Sequence, residues 1–340
     1  MKVQLIFILV IFSLLAYNCN NQSNVEESKK ITQNEAQQLE AQKDSNKIRI
    51  EALSDTIGQL KEQKSLIEKK TAESEVFSIV KNSFFDHVII GTNNLNKSST
   101  LFTNLGFLVK EGNKHKNGIT NSFVEFIDGS EIELMEVDNP TDELSKEYGN
   151  LINANKYGLQ FAVRVDEINK LKSSFSQLNK GFTELSVNNT YNTLSSKNIN
   201  SELPIFFIQY NSENNNVLTN HKNKAKRISA IWISTKDIKQ TAKELVNFGF
   251  DAIDNYKIPE ATGKVIRFKN NNFEIILIES DKYEISGITI LVEDIKIIKN
   301  TVKSNLSTDF IEQNRGKVNC IILKPEITKS IWLEFLEIQN

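Results

Sequence analysis

Phe85-Asp86-His87-Val88-Ile89-Ile90, then Asn93-Asn94-Leu95, then Leu105-Gly106-Phe107, states a theme that the chain repeats. An apolar run with strand character ends at Asn or Asp, an amphipathic helix follows, and the helix stops at Gly-Phe. The theme returns as Leu159–Val165, Asp166-Glu167-Ile168 and Gly181-Phe182. It returns again as Ile228–Ile233, Lys236-Asp237-Ile238 and Phe248-Gly249-Phe250. The last copy is Ile288–Val292 and Glu293-Asp294-Ile295, ending near Leu306 without the Gly-Phe. Apolar residues recur at helical spacing in each copy: Leu95, Phe102, Leu105; Ile168, Leu171, Phe175, Leu178; Ile238, Ala242, Leu245, Val246; Ile295, Ile298, Val302, Leu306. Asn or Asp stands at each expected N-cap, where a side-chain oxygen can accept the free backbone N–H groups. Gly106, Gly181 and Gly249 suit left-handed C-caps.

Further strands follow each helix. The first copy has Leu108–Lys110, Ser122–Phe126 and Glu131–Met135; the second has Phe182–Val187 and Ile205–Tyr210 around a degenerate middle. The third has Asp251–Ile258, Lys264–Phe268 and Phe273–Ile278; the fourth has Asp309–Glu312, Val318–Leu323 and Trp332–Leu336. The unit is βαβββ, four times. One unit cannot bury both a helix face and a sheet face, whereas two side by side can, with their sheets curving around a cleft. The expectation is an α+β fold of tandem βαβββ units paired into curved mixed sheets: residues 83–212, a polar linker at 213–227, and a divergent second pair at 228–340.

Residues 31–75 are rich in Glu, Lys, Gln and Ala with spaced aliphatics, and have no Pro. A heptad fits Ala36, Leu39, Lys43, Asn46, Ile50, Leu53, Ile57, Leu60, Lys64 and Ile67, with a clean a/d seam from Ile50 to Leu60. Lys43, Asn46 and Lys64 interrupt it, and Gly58 costs roughly 1 kcal/mol. Residues 20–82 therefore read as a polar tether and a helical stalk that would reach roughly 65 Å. A solitary helix and a homo-oligomeric coiled coil are both open.

Ahead of the tether, Lys2 precedes the apolar run Val3–Ala16, too short for a span of about 20 residues and suited to a secretory signal. Cys19 falls where cleavage would occur, and residues 1–19 resemble a bacterial lipoprotein signal. The resemblance implies a diacylglyceryl group on Cys19, a membrane anchor and a place in the bacterial cell envelope, outer membrane or periplasm-facing. An ordinary cleaved signal or an uncleaved anchor is the alternative.

The 340 residues hold Lys+Arg 41 against Asp+Glu 43, a formal net charge of −2, which removes the electrostatic case for nucleic acid. Two Cys exclude a disulfide framework, and three His limit any imidazole metal site. No phosphate-binding Gly-rich loop, G-x-S-x-G elbow or H-E-x-x-H motif occurs.

Paired βαβββ units resemble the vicinal oxygen chelate superfamily. Phe85-Asp86-His87-Val88, with Gly112, His115, Gly118, Thr120-Asn121, Asp128-Gly129 and Ile132-Glu133-Leu134, looks like its glyoxalase-like domain family, as does Leu203–Tyr210. The resemblance covers about residues 84–210. It implies a metal in the cleft of the first pair, with ligands from first and last strands: His87, Glu133, Gln160 and Gln209. Such a set suits Zn²⁺, Ni²⁺, Fe²⁺ or Mn²⁺ acting as a Lewis acid, with Glu133 as general base; a site with no cofactor is the alternative. His115 reads as a catalytic cleft residue or a solvated loop histidine, with Asn121 nearby as a substrate contact. Arg164 shares a strand face with Gln160 and could clamp a carboxylate or phosphate. His221, in the polar linker, reads as exposed, and Cys320 as a buried filler. The second pair, whose Glu334 parallels Glu133, reads as structural or as a partner surface. Three functions stay open: a metal-dependent lyase, isomerase or dioxygenase acting on a small oxygenated molecule; a small-molecule-binding protein; and a scaffold.

Overall fold

The computed structural model describes residues 33–187, 189–196, 203–212, 220–255, 258, 261–315 and 318–338. The signal-like segment, Cys19 and the tether at residues 20–30 lie outside the described residues. A long helix, α1 (Gln33–Lys81), comes first. Four βαβββ units follow. They are β1 (Phe84–Gly91), α2 (Leu95–Asn104), β2 (Lys110–Lys114), β3 (Ile119–Glu125) and β4 (Glu131–Val137); then β5 (Gly158–Arg164), α4 (Ile168–Gln177), β6 (Phe182–Val187), β7 (Tyr191–Ser196) and β8 (Ile205–Tyr210). The third is β9 (Ala225–Thr235), α5 (Ile238–Asn247), β10 (Asp251–Asn255), β11 (Val265–Lys269) and β12 (Glu274–Glu279); the fourth is β13 (Glu284–Val292), α6 (Ile295–Leu306), β14 (Ile311–Arg315), β15 (Val318–Leu323) and β16 (Trp332–Glu337). Among the described residues two helices stand outside this repeat: α3 (Glu143–Asn153), between the first two units, and the single turn α7 (Pro325–Thr328).

The units pair into two eight-stranded mixed sheets of identical topology, β2-β3-β4-β1-β5-β8-β7-β6 and β10-β11-β12-β9-β13-β16-β15-β14. Within every unit the first and last strands run parallel, which needs the crossover helix. The two units of a sheet meet antiparallel, β1 on β5 and β9 on β13. The helix faces of both sheets share one apolar core, in which Val88, Phe161, Ile231 and Ile288 lie with Phe102, Phe175, Leu245 and Ile298 of the helices. The other face of each sheet is called its free face below.

Residues 68–340 form one compact unit, and the described part of residues 1–67 is helix alone. Along that helix Ile50, Leu53, Ile57 and Leu60 are exposed. Its last turns belong to the globular unit: Ala72, Val76 and Val80, four residues apart, are buried. The helix end is tied to the turn after β11. Asn270 Nδ2 donates to Val80 O at 3.0 Å, and Asn271 N donates to Lys81 O at 3.1 Å, so carbonyls without intrahelical partners are satisfied. Gly249 (φ +98°) lets the turn after α5 approach the α1 backbone, where a Cβ would sit 2.7 Å from Phe77 O. No helix among the described residues is long and apolar enough to cross a membrane.

Several local expectations need correction. Asn94, Asp237 and Asp294 cap α2, α5 and α6 with their side chains, but α4 begins at Glu167 without a side-chain cap. Gly106 and Gly249 are left-handed, whereas Gly181 is not; Asn179 (φ 54°) takes that conformation two residues earlier. His221 is buried rather than exposed. Leu108 N donates to its Nδ1 at 3.0 Å, and the rings of Phe107 and Phe126 flank it, so burial holds its pKa down. β9 starts at Ala225, within the span read as linker.

Candidate functional site

Strand register defines which positions of the four units correspond. Val88, Phe161, Ile231 and Ile288 each pair in parallel with the last strand of their unit, at Ile132, Ile205, Ile275 and Leu333. One step back along the first strand lie His87, Gln160, Ala230 and Gly287. One step on along the last strand lie Glu133, Phe206, Ile276 and Glu334. These positions face away from the shared core. Three of the four residues expected to be ligands, His87, Glu133 and Gln160, thus occupy equivalent places on the first free face. The fourth place is held by Phe206, whose ring meets the His87 ring edge-on at 5.4 Å.

Gln209 lies elsewhere. Its Oε1 accepts from Ile168 N at 3.1 Å and its Nε2 donates to Asp166 O at 2.6 Å, at the start of α4. Glu136 and Glu337 hold the same register position and accept from Leu95 N and Ile295 N at the starts of α2 and α6. The position serves helix N-termini. Gln209 stands three residues beyond Phe206, and with side chains alternating along a strand that odd step puts it on the opposite face.

A β-bulge shapes the first site. Between β1 and β5, Phe85 and Val88 pair with Val163 and Phe161, so three steps on β1 oppose two on β5. The extra residue brings Asp86 and His87 out on one side. His87 Nδ1 donates to Asp86 Oδ1 at 2.7 Å, and Tyr210 donates its hydroxyl to the same oxygen at 3.0 Å. His87 Nε2 then points toward Glu133, 3.8 Å from Oε2. Glu133 Oε1 accepts from Asn121 Nδ2 at 2.8 Å, and Asn121 Oδ1 accepts from Asn113 N. Glu131 is the register partner of His87.

Three carboxylates surround one imidazole, and the charges bear on His87 and Glu131. Burial lowers the His87 pKa, but the Asp86 hydrogen bond and the charges of Asp86, Glu133 and Glu131 outweigh it and leave it raised. Burial, reinforced by Asp86, Glu125 and Glu133 against His87, pushes Glu131 up to about 7. The cluster can hold a proton near neutrality, and the His87 side chain keeps 14 % exposure through which one could exchange.

α3 covers the adjoining half of this face. Tyr148 and Ile152 pack on Ile89, Met135 and Leu159, and Tyr148 donates its hydroxyl to Gln160 Oε1 at 2.6 Å. The sequence carried a signal for this helix that the repeat obscured: Asp142 and Ser145 form a capping box. Asp86, Glu131, Tyr148, Phe206 and Tyr210 are further members of the site that sequence reasoning missed. Arg164 lies on the same face, its guanidinium over the Phe84 ring at 5.3 Å. His115 is exposed in the β2–β3 turn, where its backbone N–H donates to Ile119 O. Cys320 is buried.

The second free face, in the pair that reads from sequence as structural or as a partner surface, carries a cavity of about 360 Å³. Arg227, Arg267, Lys269, Glu274 and Thr289 line it together with the turn Asn270–Asn272. Beneath it Trp232 Nε1 donates to Thr289 Oγ1 at 2.9 Å, and Thr289 donates to Glu334 at 2.7 Å. The same bulge recurs on β9, but it presents Ser229 and Ala230 where the first sheet has Asp86 and His87. The smaller side chains leave the space open.

Residues 85–249 match the family model of the glyoxalase-like domain. No curated relative matches the chain. Among solved structures, catechol 2,3-dioxygenase superposes with a TM-score of 0.55 at 11% identity, covering 75% of this chain and 88% of that one. A hypothetical protein from Staphylococcus aureus gives 0.53 at 13% identity, with 75% and 99% covered. Homoprotocatechuate 2,3-dioxygenase from Brevibacterium fuscum, in complex with 3,4-dihydroxyphenylacetate, gives 0.51 at 12% identity, with 76% and 81% covered. Residues 85–249 therefore resemble a glyoxalase-like domain, and the chain has a βαβββ fold like that of the vicinal oxygen chelate proteins, the fold these dioxygenase structures share.

The metal implied by that fold can be tested against the donors present. At the equivalent positions of the first face they are an imidazole, a carboxylate, an amide whose oxygen is taken by Tyr148, and a phenyl ring; the neighbouring Asp86 already accepts from His87 and Tyr210. On the second they are Ala230, Gly287, Ile276 and Glu334. Among the described residues no three His, Cys, Asp or Glu side chains converge to hold an ion. This set does not fit a chelated divalent ion.

Proposed function

We propose that the chain is a small-molecule-binding protein built on the vicinal oxygen chelate fold, acting without a chelated metal and held at a bacterial envelope membrane by a lipid on Cys19. The observation that carries the reading is the donor set at equivalent positions: the second face has only Glu334 beside Ala230, Gly287 and Ile276, and the first has His87 and Glu133 with Phe206 in one place and, in the other, Gln160 whose oxygen is taken by Tyr148. The cavity on the second face supports a ligand rather than a purely structural sheet. The solved dioxygenase complex shows that a related fold accommodates a small oxygenated molecule. The Val3–Ala16 run and Cys19 support the anchor.

The test is metal analysis of the full-length chain purified without a His tag in detergent, beside His87→Ala and Glu133→Ala. The expected result is substoichiometric metal in all three and ligand-induced rises in melting temperature in the presence of EDTA. Stoichiometric metal lost in both variants would overturn the reading. Mass spectrometry of the N-terminal peptide, with Cys19→Ser as control, checks the lipid.

One observation favours a second reading, acid–base catalysis on the first face. Asp86 fixes the His87 tautomer and directs Nε2 toward Glu133, an arrangement suited to moving a proton.

A further inference from the structure

We infer that the cavity on the second free face is a binding site for a small oxyanion, a di- or polyanionic carboxylate or phosphate. The inference rests on the ligand-binding reading above and names the class of ligand. Three cations line the cavity, Arg227 from β9 and Arg267 and Lys269 from β11, against one carboxylate, Glu274, which lies 3.6 Å from Arg267. The charge is not a property of the fold. By register, Arg227 corresponds to Phe84, Arg267 to Phe123 and Lys269 to Glu125, so the first sheet has two rings and an acid at these three places. The cations also stand on a firm base. β11 and β9 are interior strands, and the turn Asn270–Asn272 is tied to the end of α1 through Asn270, Asn271 and Asn272. Arg227 donates to Asn272 O at 3.4 Å, which keeps its guanidinium at the cavity wall.

Guanidinium groups on separate strands suit an anion with several oxygens, since each can donate two parallel N–H bonds to a pair of those oxygens. The volume admits a molecule of metabolite size, and the net charge of −2 for the whole chain argues against a surface built for a long polyanion.

The experiment is isothermal titration calorimetry on the full-length chain in non-ionic detergent with EDTA at fixed ionic strength. Pyrophosphate is the phosphoryl probe, citrate the carboxylate probe and erythritol the neutral control. Saturable binding of at least one anion is expected, and which of the two binds tighter separates the sources. Arg227→Gln with Arg267→Gln should weaken it by about tenfold or more. Lys269→Gln, at an exposed position, should weaken it about threefold without affecting folding. Lys97→Gln, on α2, should leave it unchanged. Absence of saturable binding by both anions would overturn the inference, as would wild-type affinity in Lys269→Gln and the double variant alike. If the double variant fails to fold, Lys269→Gln alone decides. If anions fail but neutral compounds raise the melting temperature, the charge assignment falls while the ligand-binding reading stands.

Discussion

The two free faces have the same topology and opposite contents. At one end both are filled, the first by Tyr148 and Ile152 of α3, the second by Trp232 and Trp332 of its own strands. At the other end the same bulge carries Asp86-His87 in one sheet and Ser229-Ala230 in the other. The first yields a nearly buried acidic cluster, the second an open basic cavity. A repeated backbone thus sets where a site can form, and a handful of side chains decides whether it is filled, charged or empty.

The largest expected effects test the filled ends. Trp232 is fully buried, and Trp232→Ala should cost about 3–5 kcal/mol. Ile152→Ala should cost about 2–5 kcal/mol and increase the exposure of the first face. Denaturant melts give the energies. If Ile152→Ala costs nothing, α3 is not a working cover and the two ends are not comparable.

The acidic end should show itself in pH dependence. The folded chain holds a proton on Glu131 up to about pH 7, whereas an unfolded carboxyl loses it near the ordinary value of 4.5. Between those values the native state binds more protons, so its stability falls as pH rises through that window. His87, whose pKa is also raised, acts in the same direction above its unfolded value. Glu131→Gln should therefore stabilise the protein by roughly 2–3 kcal/mol above pH 7 and flatten the slope. Glu274→Gln, at the matching place in the second sheet, disturbs a partly exposed pair with Arg267 and should change stability by less than about 1 kcal/mol. Equal pH slopes in the two variants would erase the distinction between the faces.

Much of the fold was legible because its signals are periodic. Four copies of strand, cap and amphipathic helix announce the βαβββ unit, and Asp237 and Asp294 cap where expected. What stayed hidden was set by register. The bulge at Asp86-His87 adds one residue with no composition of its own, and it decides which side chains meet. α3 interrupts the repeat, so its capping box at Asp142 belongs to no copy of the periodic theme. His221 has polar neighbours in sequence and aromatic ones in space. The cations of the second cavity come from β9 and β11, some forty residues apart in sequence, and nothing local marks Arg227, Arg267 and Lys269 as a set.

A middle-sized effect concerns the wall of the second cavity. Asn270 is buried and joins Val80 O, Ser83 O and the N–H groups of Asn272 and Phe273. Asn270→Ala leaves those groups without it and should cost about 1–3 kcal/mol. It should also loosen the end of α1, read as faster amide exchange at Asn271. Unchanged exchange would mean that the helix and the cavity wall are held independently.

The smallest effect is the sharpest test of register. Glu136, Gln209 and Glu337 stand at one position in three units and accept from the first turn of a helix. Two are acids, which a helix N-terminus favours, and one is neutral. If Gln209 serves α4 as the others serve α2 and α6, Glu337→Gln should destabilise the chain by about 0.3–1 kcal/mol. Gln209→Glu should then change stability by less than about 1 kcal/mol at any pH, the gain at the helix terminus being set against loss of the Nε2 bond to Asp166 O. Salt should shrink the Glu337→Gln effect, since the interaction lies near the surface. A Gln209 that faced the first site would behave differently: a new carboxylate beside Asp86, Glu131 and Glu133 would destabilise the protein and steepen its pH dependence. The pH dependence of one substitution therefore reports which face of β8 this residue occupies.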